Sequence, residues 1–319
     1  MDRRQFMLTS AAAAAAGSLS RLDGHLVPAP TRLRNVGLGL FSVPKMLEAD
    51  FRGTIAMLAG MGYREVELFG PYAFSEQAAI DAWAKIIPQV GFAGSGFFGM
   101  TGRQVRAILD EHHMKAPSAH TDWFTLQRGM GRLAEAAHDV GYEYVVLPSI
   151  PDELRQDLDA YRRMADAMNA VGAEAKRNGL KFAYHNHGYG LTPMDGQVPL
   201  QLLLERTDPS LVYLEMDVYW TAAGGADPVE LLRAHPGRYT MLHLKDMKER
   251  KRFRGNGGNS GEWVELFPYM TTAGDGVLDL RSIVAQARRS GVAHYFVEQD
   301  VVANPDVALK RSYDFIAGL

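Results

Sequence analysis

The chain of 319 residues contains no cysteine. This absence excludes a disulfide framework, a zinc site built on thiolates and a cysteine nucleophile. Neither sign of charge is in excess, because 34 Lys and Arg residues face 37 Asp and Glu residues and the formal net charge is −3. Such a balance argues against a partner rich in phosphate, and we expect no nucleic-acid binding. A hydrophobic content of 47% excludes a disordered chain.

The only stretch that resembles a membrane span lies at the N-terminus. There, Arg3 and Arg4 precede an uncharged segment over residues 5–20 that includes six successive alanines. This segment is less apolar than a membrane-spanning helix requires. We interpret residues 1–30 as a signal peptide of the twin-arginine type, with an alanine-rich N-terminal arm as the alternative. We therefore expect a periplasmic protein without stable membrane association after signal removal.

From residue 35 onward, short apolar runs typical of strands alternate with helical patterns. Strands are predicted at residues 36–43, 65–69, 115–121, 142–148, 180–187, 211–220, 239–246 and 293–300. Helices are predicted at residues 51–61, 77–90, 102–113, 126–140, 158–178, 200–206, 228–234, 280–290 and 305–316. The alternation predicts a (β/α)8 TIM barrel, one domain over residues 31–319. The rival doubly wound sheet is disfavoured because no G-x-G-x-x-G or Walker A loop follows the first strand.

Four consecutive predicted strands end in ionisable side chains. The interior of a barrel prefers Val, Ile and Leu, so such residues at the C-terminal ends of strands indicate a functional site. Imidazoles and carboxylates together suit one divalent ion of Mn, Zn, Co or Fe, and we favour Mn or Zn. The alternative is a set of salt bridges around the rim. The candidate ligands are His185 or His187 on the fifth strand, Asp217 on the sixth, His243 on the seventh and Glu298 on the eighth.

Six short motifs carry a resemblance to a known family. They are GYREVELFG (62–70), FAYHNH (182–187), LEMDVYW (214–220), LHLKD (242–246), AGDGVLDL (273–280) and FVEQD (296–300). In this order they resemble the sugar phosphate isomerase/epimerase family of the xylose-isomerase-like TIM-barrel superfamily. The resemblance implies a Mn²⁺ or similar ion held by Glu, Asp, His and Glu on the fifth to eighth strands. Asp217, His243 and Glu298 match the last three ligands.

The first ligand departs from the family pattern, because His185 stands where the ketose epimerases of this family have Glu. The resemblance implies that the two Glu residues of those enzymes exchange protons on opposite faces of the substrate. A neutral imidazole can still act as a base or bind a metal. Loss of one carboxylate nevertheless weakens the case for epimerisation, and a lyase or dehydratase is at least as compatible.

Further polar and aromatic residues are predicted to line the mouth of the barrel. We assign catalytic roles to Glu298 and His185 as bases and to Lys245 as an acid or electrophile, with a salt bridge to Glu215 or Asp217 as the alternative for Lys245. The candidate substrate-binding residues are Glu67, His120, His187 and Trp220. A buried ion pair is the alternative for Glu67, and simple packing is the alternative for Trp220. Two insertions, at residues 71–100 and 248–274, are expected at the same face.

These observations predict a metal-dependent isomerase or epimerase that removes the proton α to a carbonyl of a carbohydrate or keto-sugar. Export and the lack of a recognisable phosphate loop favour an unphosphorylated, small-molecule substrate. One alternative is a lyase or dehydratase with the same metal-assisted chemistry, acting on a 3-keto-glycoside or an inosose-like compound. Others are a non-catalytic, exported sugar-binding barrel and a metal-dependent hydrolase. We leave open whether the chain forms a homodimer.

Overall fold

The computed structural model describes residues 32–33, 35–300 and 302–319, so the predicted signal peptide lies outside the described residues. Eight parallel strands form the barrel: β1 (Val36–Gly39), β2 (Glu65–Phe69), β3 (Lys115–His120), β4 (Tyr144–Leu147), β5 (Lys181–His185), β6 (Val212–Asp217), β7 (Tyr239–Leu244) and β10 (His294–Val297). The barrel closes in the order β1-β10-β7-β6-β5-β4-β3-β2. Two short strands, β8 (Asp246–Met247) and β9 (Met270–Thr271), pair antiparallel outside the barrel. The predicted TIM barrel is confirmed.

Helices connect successive strands. They are α1 (Pro44–Ala49), α2 (Phe51–Met61), α3 (Gln77–Val90), α4 (Gly102–Glu111), α5 (Trp123–Arg128), α6 (Met130–Val140), α7 (Leu158–Arg177), α8 (Pro199–Arg206), α9 (Val218–Ala223), α10 (Pro228–Ala234), α11 (Ser260–Leu266), α12 (Leu280–Ser290) and α13 (Pro305–Ala317). None of the helices in the described ranges is long and apolar enough to cross a membrane. The helix predicted over residues 126–140 is wrong as a single element. Asp122 caps α5 by accepting a hydrogen bond from Thr125 N (2.9 Å), and Gly129 interrupts the helix before α6.

The sixth strand ends earlier than its apolar sequence predicts. Asp217 Oδ1 accepts a hydrogen bond from Trp220 N (3.0 Å) and so caps helix α9. A carboxylate at this position satisfies amide groups that a new helix would leave unpaired, and this outweighs the preference of Val218 and Tyr219 for a strand. Trp220 therefore lies in a helix at the barrel mouth and not on the strand.

Alternation along the strands separates the two faces of the barrel. One small cluster of buried side chains fills the interior below the mouth: Tyr144, Val146, Ala183, Met241 and Phe296. His185, His243 and Glu298 each follow a member of this cluster by two residues, so they point to the same interior. The ring centroid of His243 lies 5.9 Å from that of Phe296. The apolar cluster is thus the floor of a polar site.

Helix α7 packs closely against the chain that leads into β6. A Cβ atom on Gly172 would lie 2.3 Å from the carbonyl oxygen of Leu211, whereas a Cβ atom on Gly60 in α2 would have no neighbour within 4 Å. Glycine inside a helix is normally a cost relative to alanine. At Gly172 the close approach of backbone to backbone requires glycine.

We expect Gly172→Ala to lower the free energy of unfolding by about 1–3 kcal/mol, because backbone atoms must move apart to admit the methyl group. The matched Gly60→Ala substitution should instead raise it by about 0.5–1 kcal/mol. Urea denaturation followed by circular dichroism measures both. A Gly172→Ala protein as stable as Gly60→Ala would contradict the packing described.

Candidate metal centre and active site

Ionisable side chains from six strands or their ends converge at the carboxyl end of the barrel. All are buried except the half-buried His120. They are Glu67 from β2, His120 from β3, His185 from β5, Glu215 and Asp217 from β6, His243 and Lys245 from β7 and its end, and Glu298 and Asp300 beyond β10. Burial of so many charged groups is expensive unless they neutralise one another, and such arrangements concentrate at functional sites.

The deeper half of the site, here called the inner cluster, consists of Glu67, His120, His185, Glu215 and His243. Glu215 Oε2 lies 2.9 Å from both His120 Nε2 and His185 Nδ1. Glu67 Oε2 lies 2.5 Å from His243 Nε2 and 3.0 Å from His120 Nε2. Three imidazoles therefore surround two carboxylates, and of these five side chains only His120 is partly exposed.

The half nearer the mouth, here called the outer cluster, consists of Asp217, His243, Lys245, Glu298 and Asp300. Lys245 Nζ lies 2.7 Å from Glu298 Oε2 and 3.1 Å from both Asp217 Oδ2 and Asp300 Oδ2. His243 Nδ1 lies 2.9 Å from Glu298 Oε2. His243 therefore belongs to both clusters, with Nε2 directed inward and Nδ1 directed outward.

Mutual neutralisation determines the charge of these groups. Burial lowers the pKa of His243, but the carboxylates of Glu215, Glu298 and Glu67 outweigh burial and raise the pKa well above its usual value. Burial raises the pKa of Glu215, yet His243 and the other two imidazoles of the inner cluster bring that pKa down to about 2. The pKa of Lys245 is also raised well above its usual range, because its three carboxylate neighbours outweigh the effect of burial. Without a metal, the site is a network of buried ions.

The donor set fits a divalent transition metal. Two overlapping groups offer ligand atoms within 4.8 Å of one another: Asp217 with His243 and Glu298, and His120 with His185, Glu215 and His243. Glu215 Oε1 is buried and accepts no hydrogen bond, which is costly unless another partner is supplied. Asp217 Oδ2 also accepts none, but it forms an ion pair with Lys245 at 3.1 Å. Mixed imidazole and carboxylate ligands suit Zn²⁺, Mn²⁺, Co²⁺ and Fe²⁺.

The predicted metal ligands divide between these two groups. Asp217, His243 and Glu298 come together as expected. His185 instead directs Nδ1 to Glu215, and its Nε2 lies 3.8 Å from Asp217 Oδ2. A glycine in β1 makes room for the arrangement, because a Cβ atom on Gly39 would lie 2.6 Å from Glu298 Oε1.

Glu67 and His120, predicted to contact substrate, both lie in the inner cluster, and of the two only His120 is partly exposed. Glu67 is 2% exposed, and its Oε1 accepts a hydrogen bond from Ser118 Oγ (2.6 Å). Glu215 is a further site residue, for which the sequence predicts no role beyond an alternative salt bridge to Lys245. Its signal was its spacing of two residues from Asp217, which places both on the interior face.

His187 and aromatic side chains form one wall of the mouth. His187 Nδ1 lies 2.7 Å from the carbonyl oxygen of Pro148, and the Trp263 ring stacks on the imidazole with centroids 4.8 Å apart. Trp220 is buried, and Phe253 stacks on it at 5.7 Å. Phe253 and Trp263 both belong to the insertion at residues 248–274, so this insertion covers part of the mouth as predicted.

The insertion is anchored by an acid that does not face the site. Asp246 accepts backbone hydrogen bonds from Gly274 (2.9 Å), Gly276 (3.1 Å) and Leu278 (3.2 Å). Its carboxylate thereby organises the turn that follows β9. The motif residue Asp246 is structural, whereas Lys245, its neighbour in sequence, points into the outer cluster.

Residues 55–317 match the family described as xylose isomerase-like TIM barrel, and the chain therefore belongs to this family. The match confirms the superfamily that the sequence motifs indicated. Among curated relatives, an inosose dehydratase of Clostridium tetani is 32% identical over 164 residues, which are 49% of this chain and 54% of that protein. The chain thus spans about half the length of the curated relatives it matches.

Solved structures share the fold at lower identity. One named sugar phosphate isomerase/epimerase, from Parabacteroides distasonis, has a TM-score of 0.70 at 21% identity, over 92% of this chain and 99% of that chain. The structure of an IolI protein with a bound zinc atom has a TM-score of 0.59 at 14% identity, over 89% of this chain and 98% of that chain. At these identities the likeness concerns the barrel alone.

We expect Lys245→Met to lower the free energy of unfolding of the metal-free protein by about 3–5 kcal/mol, because three buried carboxylates lose their shared cation. Urea denaturation in the presence of a chelator at neutral pH measures the change. Lys310 provides the control, since its ion pair with Asp314 is solvent-exposed and Lys310→Met should leave stability nearly unchanged. Equal stability of the two variants would show that the outer cluster is not an ion network.

Proposed function

We propose that the chain is a metal-dependent lyase that eliminates water, or another β-oxygen substituent, from a small, uncharged polyhydroxy ketone. The observation that carries the proposal is a neutral imidazole with a fixed tautomer, His187, in the same mouth as a cationic Lys245 and a cluster able to bind a metal. The relationship to a protein named inosose dehydratase supports this choice. This relationship agrees better with a lyase or dehydratase than with an isomerase or epimerase.

His187 is the candidate base. The carbonyl oxygen of Pro148 can only accept a hydrogen bond, so Nδ1 of His187 carries the proton and Nε2 has a free lone pair. Burial, reinforced by the Lys245 charge, lowers the pKa of His187 to about 3. The imidazole is therefore unprotonated at neutral pH and able to accept the proton α to a carbonyl.

Asp300 is the candidate acid. Burial raises its pKa to about 6, with a contribution from the Glu298 charge, although Lys245 acts in the opposite direction. Near pH 6 the carboxyl group holds a proton that it can give to a departing hydroxyl group, which leaves as water while the C=C bond forms. Lys245 keeps its own proton and contributes positive charge near oxygen atoms that become negative.

A divalent ion bound in this site supplies Lewis-acid stabilisation of negative charge on the carbonyl oxygen of the substrate. The predicted export and the lack of a recognisable phosphate loop favour an uncharged substrate. The stacked rings of the wall suit the apolar faces of a carbohydrate.

Isomerisation or epimerisation is less well supported. Proton exchange on both faces of a substrate carbon needs a second base opposite the first. At the position where the related epimerases are expected to have Glu, His185 is 1% exposed and directs Nδ1 to Glu215. This imidazole is committed to the buried network, so it is not placed to act as the second base.

We expect the metal-loaded protein to convert an inosose or a 3-keto-glycoside into a conjugated enone, and His187→Asn to lower kcat/KM by about 10²–10⁴. Enone absorbance reports elimination, and mass spectrometry in D₂O reports exchange. His138→Asn, which changes an exposed histidine on α6, is the control. Deuterium in recovered or isomeric substrate without loss of water would replace the lyase by an isomerase. Stabilisation by such compounds without any turnover would favour a sugar-binding barrel.

The pH profile tests the role of Asp300. With metal present at saturation, we expect kcat/KM to fall about tenfold per pH unit above about pH 6, as Asp300 loses its proton. Asp300→Asn should lower the rate and remove this alkaline decline. A wild-type profile that stays level above pH 6 would contradict the role of Asp300.

We further propose that residues 1–30 direct export by the twin-arginine route to the periplasm. The adjacent Arg3 and Arg4 support this proposal. Replacement of both by Lys should leave the protein, still carrying its N-terminal segment, in the cytoplasmic fraction, whereas the wild-type chain should appear shortened in the periplasmic fraction. Immunoblots of the two fractions measure this. Equal export of the variant would show that the paired arginines are not the signal.

A further inference from the structure

The ligand set that the family resemblance implies already holds a cation of the chain itself. Lys245 Nζ lies 2.7 Å from Glu298 Oε2 and 3.1 Å from Asp217 Oδ2. Bonds from a transition metal to carboxylate oxygen atoms are about 2.0–2.2 Å long, so an ion bound to the same two atoms would lie next to the ammonium group. Two cations in contact repel each other strongly in a buried site.

The inner cluster has more donors and no competing cation from Lys or Arg among the described residues that contact it. His120, His185, Glu215 and His243 each direct a ligand atom to a common region. Three of these ligands are imidazoles. Glu67 lies beside them, with Oε2 3.0 Å from His120 Nε2. Its charge and that of Glu215 together balance a divalent ion, and the three imidazoles can then be neutral.

Two details of the inner cluster indicate that it binds a metal ion and not only protons. Glu215 Oε1 is buried and accepts no hydrogen bond, although it lies 3.5 Å from His243 Nε2 and faces the cluster. Ser118 Oγ donates to Glu67 Oε1, which fixes the carboxylate and leaves Oε2 directed at the imidazoles. Hydrogen bonds of this kind orient the groups around metal sites in general.

We propose that the inner cluster binds a divalent transition-metal ion, with His120, His185, Glu215 and His243 as ligands. The ion lies deeper in the barrel than the site formed by Asp217, His243 and Glu298. His185, which stands where the family has Glu, then binds the metal together with Glu215, towards which its Nδ1 is directed. The metal ligands therefore differ from those that the family resemblance implies. Lys245 remains at the mouth as a fixed cation for the substrate. The inference deepens the proposed function, because it rests on a metal at this site, but it concerns only where that metal binds.

The test begins with the wild-type protein loaded with Co²⁺ or Zn²⁺ alone. X-ray absorption counts the imidazole ligands, and three are expected at the inner cluster, whereas the outer group contains His243 as its one imidazole. Competition with a chelator then measures Zn²⁺ affinity in three variants. His120→Asn and Glu215→Gln should each weaken binding by about 100-fold or more, and Asp217→Asn should change it by less than about tenfold.

Asp217→Asn retains the cap of helix α9, because Asn is as good as Asp at this position. The exposed His138→Asn variant controls for loss of any histidine, and thermal melts establish that each variant folds. Three imidazole ligands, together with weaker Zn²⁺ binding in His120→Asn and Glu215→Gln, support the inner site. This holds also if a second ion binds outside the inner cluster. A single imidazole, a loss confined to Asp217→Asn, or no bound metal would overturn the inference.

Turnover of keto-polyols by the same preparations keeps the two proposals apart. Elimination observed with a metal in the outer group would overturn the inner site and leave the lyase function. A metal in the inner cluster of a protein that turns over none of these compounds would support the inner site and count against the function. Neither result depends on the activity of a variant.

Discussion

The imidazole of His243 contacts one carboxylate on each of its two sides, and the rest of the buried site depends on these two contacts. Its Nε2 reaches Glu67 on β2 and its Nδ1 reaches Glu298 beyond β10. One imidazole therefore ties strands from different parts of the barrel to one point, and it separates a deep cluster of histidines and acids from a shallower cluster around Lys245.

Burial of so many charges is stable only because each has a partner. Removal of any one leaves the others without compensation, which is the condition under which buried ion pairs become costly. The same network sets the protonation states of the candidate base and the candidate acid. His187 stays neutral because burial and Lys245 oppose its protonation, and Asp300 holds its proton to about pH 6 because burial opposes its ionisation. Two groups with well-separated pKa values in one mouth are the requirement for acid and base steps at a single pH.

The barrel and the convergence of Asp217, His243 and Glu298 could be predicted from sequence, because strand alternation and the order of the motifs determine which residues face inward. The direction of His185 could not, since the choice between its neighbours Glu215 and Asp217 depends on the positions of both carboxylates in three dimensions. Trp220 was placed on a strand because its segment is apolar, whereas the Asp217 cap makes that segment helical. Residues 1–30 lie outside the described residues, so the signal peptide remains a prediction from sequence.

Both the proposed reaction and the proposed ligand set require that the cluster around His243 binds a divalent metal. Elemental analysis of the purified protein, beside a His243→Ala variant shown to be folded, tests it most directly. We expect about one equivalent or more of a transition metal in the wild-type protein and its loss in the variant. A wild-type protein that contains no transition metal, takes none up from solution and is as stable with a chelator as without one would contradict it.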